Sequence, residues 1–194
     1  MVLIRTLSGF LGLPSDWDFL PWPHSPHAGE VLLGYSMGGR LALQLLERQR
    51  FAKAIIVSAG LNAPDEGRRV RDEAWARRFE QDDWSAVIRD WNAQPVFGGH
   101  SLAREERDYD RGELARQLRE WSPAVLLPPR LEAIETPLLW IAGERDAKYV
   151  EIARAAVARL PRAELWICPG AGHRLPWEQP EAFVQRLRVF LELH

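Results

Sequence analysis

Three side chains that could form a nucleophilic site lie far apart in the sequence. Ser36 stands between two glycines in VLLGYSMGGR, residues 31–40, directly after an apolar run. Glycines in this arrangement permit the sharp strand-to-helix turn that exposes a serine hydroxyl to a substrate. A tight glycine turn without chemistry could have the same sequence, so a role for Ser36 as nucleophile or base depends on what accompanies it.

A serine hydroxyl needs a base within hydrogen-bonding reach and a carboxylate that orients this base. His173 lies in a glycine-containing loop, LWICPGAGHRLPWEQP, and Asp146 follows the apolar run LLWIAG. We therefore predict a catalytic triad of Ser36, His173 and Asp146. Two alternatives stay open for the acid, because Glu144 could take this role and Asp146 could instead cap the helix that follows it.

The negative charge that develops in such a site needs backbone N–H donors. In a strand–serine–helix turn, one donor is the amide that follows the serine, here Met37, and another comes from the loop after an earlier strand. The segment TLSGFLG, residues 6–12, follows the first apolar run. The amide of Phe10 is therefore the candidate for the second donor of an oxyanion hole.

Short apolar runs alternate with amphipathic helical patterns, which predicts a parallel sheet covered by helices on both faces. The predicted strands are residues 2–7, 30–33, 54–58, 137–142 and 165–168. Ser36, Asp146 and His173 each follow a predicted strand, and this order is that of the α/β-hydrolase fold. We expect an α/β protein with an α/β-hydrolase fold and a mostly parallel sheet of about five strands.

One long region departs from this alternation. Residues 62–130 contain amphipathic helical stretches rich in arginine and tryptophan, and no convincing strand. In open α/β sheets, ligands bind at the carboxyl ends of the strands. We expect the insertion to form a helical lid over that end, with residues 1–61 and 131–194 as the hydrolase core.

The composition is that of an ordinary globular protein. A formal net charge of -2 provides no field that favours nucleic acid or an anionic membrane. Cys168 is the only cysteine, so an internal disulfide is excluded. We find no signal-peptide pattern, no apolar run that could cross a bilayer and no Cys/His cluster, and we expect a cytoplasmic protein without a metal or organic cofactor.

Several segments together resemble one enzyme family. They are GYSMGGRLAL, AGERDAKY, GAGH, RRVRDEAWARRFE and DWNAQPVF. The chain is similar through them to the 2-succinyl-6-hydroxy-2,4-cyclohexadiene-1-carboxylate synthases of the menaquinone pathway, and DWNAQPVF, residues 90–97, is the discriminating stretch. The resemblance implies a lyase of the α/β-hydrolase fold. Such an enzyme eliminates pyruvate from a succinyl-bearing cyclohexene carboxylate, and its triad serine acts as a base.

The resemblance also implies which residues bind a small anionic substrate. Carboxylate-binding arginines and pocket aromatics of the family match, by position, Arg40, Arg68, Arg111, Tyr35 and Trp91. An arginine side chain suits a substrate with several carboxylates because its planar fork makes bidentate contacts. Each match has an alternative, since the arginines could belong to solvated helix faces and the aromatics could be core residues.

Two features depart from the family pattern. Ser8 stands where the family usually has a histidine, and the segment between Trp17 and Glu30 is much shorter than in the family. Family strands that would lie beyond residues 2–7 are missing, so this strand becomes an edge with unpaired backbone groups. The resemblance thus implies a truncated α/β-hydrolase fold, and we predict either a homodimer that forms through the exposed edge strand or poor solubility.

Two other functions stay open at this point. The same triad supports acyl transfer, which would make the protein a serine esterase for an unknown acyl substrate. Alternatively, the shortened N-terminal half could leave a catalytically silent ligand-binding protein. Pyruvate release, ester hydrolysis and labelling of Ser36 by a fluorophosphonate distinguish these functions.

Overall fold

The computed structural model describes residues 4–21 and 31–192. The chain divides into two compact units. Unit 1 consists of Met1–Gly60 and Pro129–His194, and unit 2 consists of Leu61–Pro128. Unit 2 is thus an insertion in the chain of unit 1.

A parallel sheet of five strands forms the centre of unit 1. The strands are β1 (Ile4–Leu7), β2 (Val31–Tyr35), β3 (Lys53–Val57), β4 (Leu138–Gly143) and β5 (Ala163–Cys168). They lie side by side in chain order, and each neighbouring pair is parallel. The predicted α/β class is confirmed, and the predicted strand residues 2, 3 and 30 lie outside the described residues.

The described α-helices fall in both units. They are α1 (Met37–Leu46), α2 (Glu66–Gln81), α3 (Trp84–Asn92), α4 (Arg111–Glu120), α5 (Ala147–Val157), α6 (Leu175–Glu178) and α7 (Pro180–Glu192). Short 3-10 helices span Pro14–Trp17, Pro95–Phe97, Glu106–Asp108 and Leu131–Ala133. Across the described part of the chain, every helix is too short or too polar to traverse a bilayer.

Burial of both sheet faces explains the apolar runs of the sequence. Every residue of β2, β3 and β4 is buried, as expected for a parallel sheet between helical layers. One face carries a core cluster with Leu33, Ile55 and Leu139 from the strands and Phe183 and Leu187 from α7. This packing fixes the carboxyl ends of the strands, from which the predicted triad residues extend.

Unit 2 is helical, and its helices begin where the sequence provides caps. The side chains of Asp65, Asp83 and Asp110 accept backbone hydrogen bonds at the first turns of α2, α3 and α4, at 2.9–3.0 Å. Such caps satisfy N–H groups that the helix itself cannot pair. The local sequence therefore determines the start of each helix in this unit.

Aromatic rings hold the interior of unit 2 together. The Trp91 ring contacts the Trp75 ring edge-on at 4.9 Å between centroids and the Phe79 ring at 5.6 Å. The Trp84 ring lies 6.1 Å from Phe79 and 5.4 Å from Tyr109. Aromatic pairs in these geometries stabilise a core beyond their buried area.

Strand β1 has a hydrogen-bonded neighbour on one side only among the described strands. Because an edge strand presents unpaired backbone groups, it can pair with a second copy of the chain. We expect light scattering at increasing protein concentration to give a mass twice that of the monomer. A monodisperse monomer at high concentration would contradict this prediction.

Candidate active site

Ser36 occupies a strained turn between β2 and α1. Its φ angle is +51°, in a region that residues other than glycine seldom adopt. The Ser36 N–H donates to the Val57 carbonyl at 2.9 Å, and the Ser36 carbonyl accepts from the Arg40 N–H at 3.2 Å. Strand β3 and the first turn of α1 therefore hold the turn, and the residue is only half-buried.

Close backbone contacts explain the glycines around this serine. A Cβ atom on Gly38 would lie 2.0 Å from the Leu7 carbonyl oxygen. A Cβ atom on Gly9 would lie 2.8 Å from the Tyr35 ring and 3.3 Å from the Cβ of Ser36. The loop after β1 therefore packs directly against the serine turn, and both contacts require the absence of a side chain.

The structure brings the three predicted triad residues together within unit 1. Ser36 Oγ lies 3.2 Å from His173 Nε2, and His173 Nδ1 lies 2.7 Å from Asp146 Oδ2. His173 and Asp146 are 3% and 8% exposed. A carboxylate can only accept, so Nδ1 carries the proton donated to Asp146 and leaves the Nε2 lone pair facing the hydroxyl. The arrangement can therefore accept a proton from Ser36.

The two alternatives for the acid do not fit the geometry. Glu144 is exposed, and its carboxylate accepts the N–H of Gly170 at 2.8 Å. Asp146 stands at the N-cap of α5, but its side chain makes no capping hydrogen bond. Asp146 is instead the carboxylate that contacts His173.

The two predicted oxyanion donors flank the serine turn. Met37 is the first residue of α1, so its amide has no acceptor within the helix. Phe10 follows Gly9 in the loop that packs against Ser36. In this loop the Ser8 hydroxyl accepts the Trp17 Nε1–H at 3.0 Å. The hydrogen bond therefore anchors the loop to the fully buried Trp17.

Aromatic rings enclose the imidazole. Tyr35 is buried, and its ring centroid lies 5.8 Å from that of His173 and 4.9 Å from that of Trp177. Burial raises the pKa of the Tyr35 phenol well above its usual range, so the group stays neutral. The Tyr149 ring lies 4.5 Å from His173. Sequence reasoning missed Tyr149, although its position one helical turn after Asp146 places it on the same side of α5.

Arg40 and Arg68 hold defined positions in different units. Arg40 is buried, at 8% exposure, in the first turn of α1 and four residues after Ser36. In unit 2, Arg68 Nε donates to both carboxylate oxygens of Asp72 at 2.8 and 2.9 Å. Asp72 is itself buried and accepts the Ser122 hydroxyl at 2.6 Å. Arg68 is thus anchored by a buried carboxylate.

The structure places Arg111 and Trp91 in the packing of unit 2. Arg111 donates from Nε to the Phe79 carbonyl, from Nη2 to the Asp82 carbonyl and from Nη1 to Glu106. Trp91 belongs to the aromatic interior described above. Trp91 thus matches the core alternative left open by the sequence, whereas backbone carbonyls hold Arg111, which therefore does not lie on a solvated helix face. Substrate contact by either residue stays a prediction.

The outer arginines of unit 2 form surface ion pairs. Arg119 pairs with Glu73 and Glu80, and hydrogen bonds from Arg119 and Arg77 lower the pKa of Glu73 to about 2. Such exposed pairs contribute little to stability. Within residues 4–21 and 31–192, no group of three or more His, Cys, Asp or Glu side chains could hold a metal ion.

The close contact at Gly38 generates a test of the serine turn. Alanine normally stabilises a helix relative to glycine, but Gly38→Ala would push a methyl group into the Leu7 carbonyl. We expect a loss of about 1–3 kcal/mol in the free energy of unfolding, measured by urea denaturation. Gly60→Ala is the matched control, because a Cβ there would meet only Tyr149 Cε1 at 3.6 Å. Equal stability of the two variants would contradict the described packing.

Comparisons with known sequences agree with this geometry. The model of the α/β hydrolase family matches residues 6–186. A 2-succinyl-6-hydroxy-2,4-cyclohexadiene-1-carboxylate synthase of Klebsiella pneumoniae is 33% identical over 174 residues, covering 82% of this chain and 67% of that protein. A synthase of the same name from Escherichia coli is 34% identical over 177 residues, with the same coverage. The chain thus spans about two thirds of the length of these relatives.

Solved structures show the same fold. MenH from S. aureus superposes with a TM-score of 0.85 at 21% identity, covering 98% of this chain and 93% of that chain. An esterase from Thermogutta terrifontis gives a TM-score of 0.71 at 17% identity, with coverage of 99% and 90%. From the family match and the curated relatives together, the chain belongs to the α/β-hydrolase family and, within it, to the 2-succinyl-6-hydroxy-2,4-cyclohexadiene-1-carboxylate synthases.

Proposed function

We propose that this protein is a carbon–oxygen lyase that eliminates pyruvate from a succinyl-bearing cyclohexene carboxylate in menaquinone biosynthesis. The observation that carries the proposal is the hydrogen-bonded line from Ser36 through His173 to Asp146 in a chain of the synthase family. The curated relatives are named for this synthase activity.

Elimination begins with removal of a proton from carbon. Ser36 Oγ takes this proton as its own hydroxyl proton moves to His173 Nε2, and Asp146 stabilises the imidazolium that forms. The electron pair from the C–H bond then forms a carbon–carbon double bond, and the C–O bond to the leaving group breaks. The leaving enolate is protonated on carbon to give pyruvate. Release of the Nε2 proton from the His173 imidazolium balances this step and restores the site, and no acyl-enzyme is required.

Charge that accumulates on oxygen during proton removal needs preorganised donors. The amides of Met37 and Phe10 serve this role, since the first begins α1 and the second lies in the loop that packs on Ser36. Tyr35 supplies a neutral phenol beside His173. These groups come from one rigid unit, which supports a preorganised site.

Arginine side chains recognise the substrate carboxylates. Arg40 lies one turn after Ser36 on α1, and Arg68 is held by Asp72 so that its guanidinium has a fixed direction. The chain leaves the sheet after β3 at the carboxyl ends of the strands, where open α/β sheets bind ligands, and unit 2 follows β3 in the sequence. Arg111 and Trp91 contribute mainly to the internal packing of unit 2.

A serine esterase is the second candidate. The same triad can form an acyl-enzyme, and the fold is shared with the esterase from Thermogutta terrifontis. Family membership favours the lyase over this activity. A silent binding protein is less well supported, because the hydroxyl, imidazole and carboxylate stand in hydrogen-bonding order.

The expected compartment is the cytoplasm. Cys168 is buried and is the only cysteine, so the chain has no internal disulfide that would require an oxidising environment. Burial raises the pKa of the Cys168 thiol to about 11, which keeps it protonated. This thiol is therefore not a candidate nucleophile.

The proposal is tested by pyruvate release from the pathway substrate, coupled to lactate dehydrogenase. We expect Ser36→Ala to lower kcat by about a hundredfold to ten-thousandfold, the usual contribution of a general base. Arg68→Ala should lower kcat/KM by about tenfold to a hundredfold, because charge-assisted hydrogen bonds contribute about 1.5–3 kcal/mol. Arg69→Ala is the matched control, since its exposed side chain pairs with Glu66 on the same helix.

The outcomes separate the candidate functions. Rapid turnover of nitrophenyl esters without pyruvate release would replace the lyase with the esterase. Absence of both activities, together with no labelling of Ser36 by a fluorophosphonate, would indicate a silent binding protein. Equal effects of Arg68→Ala and Arg69→Ala would contradict substrate recognition by Arg68.

A further inference from the structure

A buried carboxylate contacts the backbone on both sides of His173. Glu178 Oε2 accepts the N–H of Gly172 at 2.7 Å, and Oε1 accepts the N–H of Arg174 at 3.0 Å. The Glu178 side chain is only 8% exposed. It extends from the end of α6 back toward the start of this helix, as a capping glutamate does.

The same carboxylate reaches the turn that carries Asp146. Arg145, the residue before Asp146, donates from Nη2 to Glu178 Oε2 at 2.8 Å. The Arg145 N–H also donates to the Ala171 carbonyl at 2.8 Å. The turn after β4 and the loop after β5 are therefore joined by a backbone hydrogen bond and by the Glu178 side chain.

Close approach of the two segments leaves little room for adjustment. A Cβ on Gly143 would lie 2.2 Å from the Gly172 carbonyl oxygen, and a Cβ on Gly172 would lie 3.0 Å from Glu178 Oε1. Close-packed segments of this kind shift only together with their neighbours. The distance between the acid and the imidazole is therefore set by backbone contacts in which Glu178 takes part.

We propose that Glu178 is a positioning residue that holds His173 in line with Ser36 and Asp146. It does so by accepting the backbone N–H groups of Gly172 and Arg174, the residues on either side of His173. It touches neither substrate nor the reacting hydroxyl, and it acts through His173. The proposal rests on the proposed role of the triad in activating Ser36, and it does not depend on which substrate the site takes.

The charge state and length of this side chain are both required. A carboxylate offers two acceptor oxygens and serves the amides of Gly172 and Arg174 together with the Arg145 guanidinium. A glutamine offers one acceptor oxygen and a donor amide, so one buried N–H would face a donor. The loop would then relax, and His173 Nε2 would move away from the Ser36 hydroxyl.

The primary experiment measures the rate at which a fluorophosphonate labels Ser36, because this reaction needs the triad but no natural substrate. We expect Glu178→Gln to lower this rate by about tenfold to a hundredfold, the effect of a small misplacement of a catalytic group. Glu178→Ala should lower it further. The low-field proton resonance of the His173 Nδ1–H, observed by NMR, should broaden or shift in both variants.

Glu144→Gln is the matched control. Glu144 also accepts a backbone N–H of the same loop, from Gly170 at 2.8 Å, but this amide does not adjoin His173. We expect its labelling rate to stay within about twofold of the wild type, as for most surface substitutions. Should Glu178→Gln fail to fold, Glu178→Asp replaces it, because aspartate keeps the charge and withdraws the carboxylate by one methylene group.

The results distinguish positioning from general stabilisation. A reduced labelling rate and an altered His173 resonance in a Glu178 variant with near-wild-type thermal stability would support the proposal. Equal labelling rates in the Glu178 and Glu144 variants, or an unchanged His173 resonance, would overturn it. Labelling that depends on Glu178 in a protein that releases no pyruvate would refute the lyase activity and leave this inference intact.

Discussion

The hydrogen bond from His173 Nδ1 to Asp146 is the interaction on which the candidate site depends. It joins loops that follow two different strands, and at 2.7 Å it fixes which ring nitrogen faces Ser36. Both partners are almost fully buried. An imidazolium formed there therefore lies beside the Asp146 carboxylate in a site shielded from water, where the attraction between the two charges is strong. The parallel pairing of β4 with β5 brings the two loops to the same edge of the sheet, and the sheet thus creates the pair.

The features that could be predicted from sequence are those set by local chemistry or strong patterning. Buried parallel strands produce apolar runs in the sequence. The predicted ends of these strands therefore lie within one or two residues of the observed ends. Ser36 could be identified because close backbone contacts require both flanking glycines: a Cβ on Gly34 would lie 2.7 Å from the Gly38 carbonyl oxygen, and one on Gly38 would lie 2.0 Å from the Leu7 carbonyl oxygen. The competition between Glu144 and Asp146 required coordinates, because both follow β4 and only the direction of each side chain decides which one meets His173.

Partners of long charged side chains were harder to predict. Arg68 and Arg111 both matched family positions, yet one is fixed by the buried Asp72 and the other donates to carbonyl groups at the end of α2. An arginine side chain reaches across several residues, so its partner depends on tertiary packing that no sequence spacing encodes. The same reason explains why Glu178 was missed, since its three donors come from two separate segments.

Strand order separates the triad from the edge strand β1. Ser36, Asp146 and His173 follow β2, β4 and β5, whereas β1 supplies only the loop that packs on the serine turn. The edge at β1 therefore adjoins the loop that packs on the serine turn rather than the strands that precede the acid and the imidazole. In this loop the Ser8 hydroxyl accepts a hydrogen bond from the buried Trp17. The loop that packs on Ser36 is thus anchored by a buried side chain of the same unit.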